Sequence, residues 1–146
     1  MVFHFRLSLV SQKSATAYEA IRLDIRPNNI DPNPNYRMRA VVRIEYTQYA
    51  YSNNHGPRPF VVPVTQGKTA GMILNIIFDK YSMDKYIFVP PGQGCRHWCA
   101  TVLERLAYEH LIPKSVPRDF AGYEVMEHAR FGGKFPMPRI MGTWYF

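Results

Sequence analysis

Cysteine is scarce in this chain: two among 146 residues, placed four apart as Cys95 and Cys99. A small secreted scaffold stapled by disulfides needs more thiols at wider spacing, so that class is excluded and a reducing, cytoplasmic setting is expected. Long apolar runs are missing as well. The longest, Met72 to Phe78, is interrupted by Asn75 and falls far short of the roughly 20 residues that cross a bilayer, so no membrane span is expected. The opening Met1-Val2-Phe3-His4-Phe5-Arg6 alternates from its first residues and has no apolar core or small-residue cleavage site, which argues against a signal peptide. Blocks of one charge are absent too. Lys and Arg number 18 against 11 Asp and Glu, a net charge of +7, but the cations are scattered singly. Without a run of roughly five to eight Lys/Arg to track phosphates, a nucleic-acid partner is disfavoured.

What is present is a foldable composition. Hydrophobic residues make up 47% and charged residues 20%, well away from the balance that keeps chains disordered. The length suits one domain over 1–146, with no linker that would divide it.

Phe3, Phe5, Leu7 and Leu9 alternate with His4, Arg6 and Ser8, the period of a half-buried strand. Ile21, Leu23 and Ile25 repeat that pattern around Arg22 and Asp24, so the two segments read as an antiparallel pair. A connection centred near Ser14 sets His4 opposite Asp24, with both side chains on one side of the sheet. After a Pro- and Asn-rich loop, Val42, Ile44 and Tyr46 mark a third strand that leads into the run to Tyr51. Phe60 to Val64 reads as a fourth strand, pushed toward an edge by Pro63. A helix is expected from about 68 to 81, a short strand at 86–89, and the strongest helix at about 95–111, where Cys95, Trp98, Cys99, Val102, Leu103 and Leu106 form one stripe. From Pro113 onward the chain reads as irregular, ending in the aromatic Trp144-Tyr145-Phe146. The expected class is α+β, with an antiparallel sheet of four to six strands packed against the Cys95 helix. Self-association is compatible with the tyrosine-rich strand and the aromatic terminus.

Chemistry concentrates at Gly92-Gln93-Gly94-Cys95. A thiol that opens a helix meets unpaired amides and the positive end of the dipole, both of which favour thiolate. Arg96 adds positive charge. Gln93 and Gly94 stand where an oxyanion would be steadied, together with the Cys95 amide. A nucleophilic thiol needs a base. His97 diverges from Cys95 by roughly 200° around the helix; His55 sits in a turn, His110 near the helix end and His128 in the tail. His4 on the first strand, oriented by Asp24, completes a Cys-His-Asp constellation. Cys95 and Cys99 with His4 fall one ligand short of a structural zinc site, so neither metal nor other cofactor is expected.

Gly94-Cys95-Arg96-His97-Trp98 opening a helix, far downstream of a histidine-bearing strand, resembles the circularly permuted NlpC-type branch of the papain-like fold, which includes the lecithin:retinol acyltransferase-like proteins. The resemblance covers about 3–25 and 86–112. It implies Cys95 as nucleophile, His4 as base and Asp24 as its orienting partner, with His97 and Trp98 in the place of the family's His-Phe pair; Gly94 stands where that family has Asn. The same motif is similar to Gly-Cys-Arg-x-Trp in a group of uncharacterised small fungal proteins. The function implied is acyl transfer from an ester, thioester or amide, with a small-molecule or acyl substrate. The alternatives are a non-catalytic papain-like scaffold that binds a protein or small ligand, and a basic nucleic-acid-binding module.

Overall fold

The computed structural model describes residues 3–12, 18–48 and 56–145. The features expected at Ser14, Tyr49, Tyr51, His55 and Phe146 lie outside them. The architecture is α+β.

The alternating segments form β1 (Leu7–Gln12) and β2 (Tyr18–Pro27), paired antiparallel with Leu7 opposite Leu23 and Leu9 opposite Ile21. The register differs by two residues from a connection centred near Ser14, which would set Leu7 opposite Ile21. A shift of two keeps every side chain on its expected face. β3 (Ala40–Thr47) pairs antiparallel with the other edge of β2, Ile44 opposite Leu23, giving the order β1-β2-β3.

This sheet has three strands rather than four to six. Residues 60–64 form no regular element and join no ladder among the described residues; Pro59 and Pro63 lack the amide N–H that a ladder needs on both sides of the segment. The predicted helix over 68–81 has two parts, α1 (Ala70–Leu74), capped by the Thr69 side chain, and a wider π turn at Asn75–Lys80. Then come β4 (Tyr86–Ile87) and α2 (Cys95–Tyr108). The stretch beyond Pro113 is not irregular: it forms α3 (Val116–Phe131), followed by β5 (Thr143–Trp144), which pairs antiparallel with β4. No helix of the described residues is long and apolar enough to cross a membrane.

The core lies between the sheet and α2. Leu23 and Ile25 on β2 are fully buried with Trp98 and Val102 on α2, and the Trp98 indole donates to the Met83 carbonyl at 2.7 Å. The start of α2 is set by Tyr86. Its hydroxyl donates to the Gly94 carbonyl at 2.8 Å and accepts from the Gly142 amide at 2.9 Å, joining β4, the first turn of α2 and the C-terminal segment. Glycine is required at both contacts. A Cβ on Gly94 would lie 2.8 Å from the hydroxyl, and Gly94 has φ +128°; a Cβ on Gly142 would run into the Ile87 carbonyl and sit 2.5 Å from the Tyr86 ring.

Gly142→Ala is therefore expected to destabilise the protein by about 1–3 kcal/mol through overpacking. Gly122→Ala, in open space on α3, should stabilise it by up to about 1 kcal/mol. Urea unfolding measures both.

Candidate functional site

Cys95 is the first residue of α2, as its position after Gly94 predicts. It is only 7% exposed. Its sulfur accepts a hydrogen bond from the Phe5 amide at 3.3 Å. Burial pushes the thiol up; the amides of Phe5, Arg96 and Cys95 and the charge of Arg96 oppose that without overcoming it. The cavity at Cys95, bounded by Phe5, Gln93, Gly94 and Arg96, measures about 20 Å³, room for about one water. Cys99, one turn on, is buried, and its thiol is pushed further up by burial, then by Cys95 and Asp24.

The structure does bring His4 and Asp24 together, with His4 Nε2 2.5 Å from Asp24 Oδ1. His4 precedes β1 and reaches Asp24 diagonally. Arg6 and Arg26 also approach the carboxylate, at 3.3 and 3.0 Å, so three cationic or basic side chains roof a group that alternates with the core residues Leu23 and Ile25. Burial pushes the Asp24 carboxyl up, but the hydrogen bond and charge of His4, with Arg26 and Arg6, outweigh it and hold the group below its ordinary value. No hydrogen bond joins this pair to Cys95 among the described residues. The Phe5 ring lies against Phe135 at 5.6 Å, and alternation along an extended chain turns its neighbour His4 the other way.

The rest of the motif is structural in its contacts. Arg96 is buried, with Nε 2.8 Å from Glu124 Oε2; its guanidinium lies 4.0 Å above the Phe135 ring and donates to the Pro136 carbonyl. Arg139 grips the same Glu124. His97 is half-buried beside Tyr86, its pKa lowered by burial and then by Arg139, and its Nδ1 has no partner. Gln93 closes a backbone bridge with Val89. His110 and His128 serve the backbone: the His110 carbonyl accepts from Thr65, and His128 Nδ1 donates to the Phe135 carbonyl at 2.6 Å.

A larger opening lies elsewhere. Between β1 and the segment 56–64 runs a groove of about 1430 Å³. Its floor is core: Ile73, Cys99, Leu103, Leu106 and Phe120, all buried. His4 and Arg6 reach its edge, and Arg22, Arg58 and Lys68 also line it. The 56–64 segment is tied down at both ends, by the Tyr123 hydroxyl donating to the Arg58 carbonyl at 2.6 Å and by the Thr65 amide donating to the Leu111 carbonyl at 2.9 Å. Phe60 packs on Phe120 and Tyr123, with ring centroids 5.1 and 5.3 Å apart.

A family model described as a domain of unknown function, DUF7770, matches residues 1–145. The chain belongs to this family. No curated protein and no solved structure matches it. The DUF7770 match runs through β1, the groove walls, the Cys95 motif and α3, so all of them fall within one family domain.

Sequence reasoning placed its site at Cys95 and missed the groove. The signal available was a proline-flanked apolar segment, Phe60 to Val64, that cannot close a ladder. Arg58 and Lys68, isolated cations in loops, carried no signal.

Asp24 provides a pH test. Because its pKa is depressed in the folded protein, its contribution to stability is full above the unfolded value near about 4 and is lost as pH falls through the folded value. The unfolding free energy of the wild type should therefore drop more steeply than that of Asp24→Asn below about pH 4. Denaturant titrations across that range read the difference.

Proposed function

We propose that this domain is a non-catalytic binding module that takes an apolar ligand into the groove between β1 and the 56–64 segment. The groove volume of about 1430 Å³ over a floor of core side chains carries the reading. Ligand pockets for small molecules run to roughly 300–1,000 Å³, and each Å² of apolar surface removed from water contributes about 25 cal/mol. A ligand with apolar bulk would cover the half-buried Leu7, Leu9 and Ile21 as well as that floor.

A second reading has its own support. The Cys95 sulfur is surrounded by backbone amides at a helix start, and His4 is held by Asp24 at 2.5 Å. In a permuted papain-like architecture these would be nucleophile, base and orienting carboxylate, with Gln93 and Gly94 at the oxyanion and an acyl group as substrate. Against it stand the raised thiol and the cavity of about 20 Å³. The groove is the better supported of the two sites.

The uncharged fluorophore N-phenyl-1-naphthylamine separates them. The binding reading expects saturable, one-to-one fluorescence enhancement, unchanged in Cys95→Ser and weakened roughly tenfold or more in Leu103→Trp, whose ring fills the floor; cooperative unfolding confirms that each variant is folded. It also expects Cys95 to react with iodoacetamide at neutral pH more slowly than free cysteine. Absence of saturable binding would overturn it. Faster alkylation of Cys95 that is lost in His4→Ala would assign the site to the thiol instead.

A further inference from the structure

One wall of the groove is an open backbone edge. β1 is an edge strand, paired only with β2 among the described residues. The register of β2 with β3 decides which amides of β1 face outward. Pro27, opposite Ala40, has no amide N–H, and the Asn28 amide donates to the Arg39 carbonyl at 2.9 Å, so even-numbered residues of β2 bond to β3 and odd-numbered ones to β1. Leu7 and Leu9, opposite Leu23 and Ile21, are therefore held in the β2 ladder. Ser8 and Val10 turn their amides outward along the groove, with no hydrogen-bond partner among the described residues. On the opposite wall, the amides of Phe60, Val61, Val62 and Val64 have no hydrogen-bond partner among the described residues. An aliphatic ligand would leave the outward row of β1 unpaired in a partly dry cleft, at a cost for every donor and acceptor it covers. A peptide strand laid along β1 would pair with it.

Charge narrows the class further. Arg22, Arg58 and Lys68 line the groove and make no ion pair among the described residues, whereas Glu19, the carboxylate among the lining residues, is engaged with Tyr46. The floor is apolar and the rim is positive. In an extended peptide alternate side chains face opposite ways, so apolar residues would reach Leu103 and Phe120 while the residues between them meet the cations.

We infer that the groove is a strand-addition site for an extended peptide with apolar residues at alternate positions and acidic residues between them. This rests on the groove being a ligand site, and it specifies what that ligand is. Pairing along β1 supplies affinity through the main chain, and the alternation supplies selectivity. The arrangement also protects an otherwise open sheet edge.

The probe is a fluorescein-labelled Asp-Val-Asp-Leu-Asp-Val-Asp peptide read by fluorescence anisotropy. It should bind saturably and one-to-one. The version with Lys for Asp, and the version N-methylated at alternate amides so that it cannot pair, should each bind roughly tenfold more weakly or worse. Val10→Pro removes an outward amide while leaving the β2 ladder in place, which edge strands tolerate. Against Val10→Ala, which matches the loss of side-chain bulk, it should weaken the peptide roughly 3- to 10-fold and leave N-phenyl-1-naphthylamine binding unchanged. Arg58→Glu with Lys68→Glu should reverse the preference between the Asp and Lys peptides. If Val10→Pro does not fold, the N-methylated peptide still decides the pairing. Saturable binding of the fluorophore with no preference for the unmethylated peptide, or its displacement by dodecanoate and not by peptide, overturns the strand-addition proposal alone. Failure of both fluorophore and peptide to bind overturns the groove as a ligand site.

Discussion

The buried hydroxyl of Tyr86 holds three segments of this chain in place. It donates to the Gly94 carbonyl and accepts from the Gly142 amide, so one side chain fixes the end of β4, the first turn of α2 and the approach to β5. Its ring packs against Phe88 and Trp144, with centroids 5.2 and 4.6 Å away. Desolvation of the phenol holds its pKa far above the ordinary value, so it stays a neutral donor and acceptor across the range in which proteins work. With α2 seated, Trp98 reaches the Met83 carbonyl and Arg96 reaches Glu124, and α3 packs against α2 around that ion pair.

The consequence is an asymmetric molecule. At the β4–β5 end the interior is closed by Tyr86, Trp98 and the two glycines. At the β1 edge it is open, because no strand among the described residues continues the sheet there and the 56–64 segment is tethered to α3 and to the residues after α2. Buried apolar side chains thus border a water-accessible groove, an arrangement that a folded chain sustains where something else completes the layer. The closed end holds the thiol and the open end holds the space.

Much of the scaffold can be read from the amino-acid pattern, and the exceptions have physical causes. The alternations at Phe3–Leu9 and Ile21–Ile25 and the stripe from Cys95 to Leu106 became β1, β2 and α2 because one face of each is uniformly apolar. The meeting of His4 and Asp24 followed from side-chain parity, which a register shift of two does not disturb. α3 was hidden. Its buried face carries Glu124 and Glu127 beside Val116 and Phe120, which breaks the apolar period, and those carboxylates are buried only because Arg96, Arg139 and Arg130 come to them from elsewhere or from the next turn. Pro117 stands in the first turn of α3, where a missing N–H costs nothing. β5 has two residues and exists through its partner. In the 60–64 segment the residues are strand-like, but the chain joins no ladder among the described residues; prolines and a tether to Tyr123 set that, neither visible as periodicity.

The Cys95 motif reads as chemistry in one dimension and as architecture in three. The features that would activate a thiol, a helix start and an adjacent arginine, are present, but burial outweighs them, and the arginine is committed to Glu124 and to the Pro136 carbonyl. The central claim is that ligand occupancy belongs to the β1 groove and not to the thiol. The most direct measurement is a set of backbone amide NMR spectra recorded while N-phenyl-1-naphthylamine is titrated into the protein. The account predicts that the perturbed amides cluster at Leu9, Phe60, Ile73 and Leu103. Perturbations confined to Gln93 through His97, with the groove amides unmoved, would contradict it.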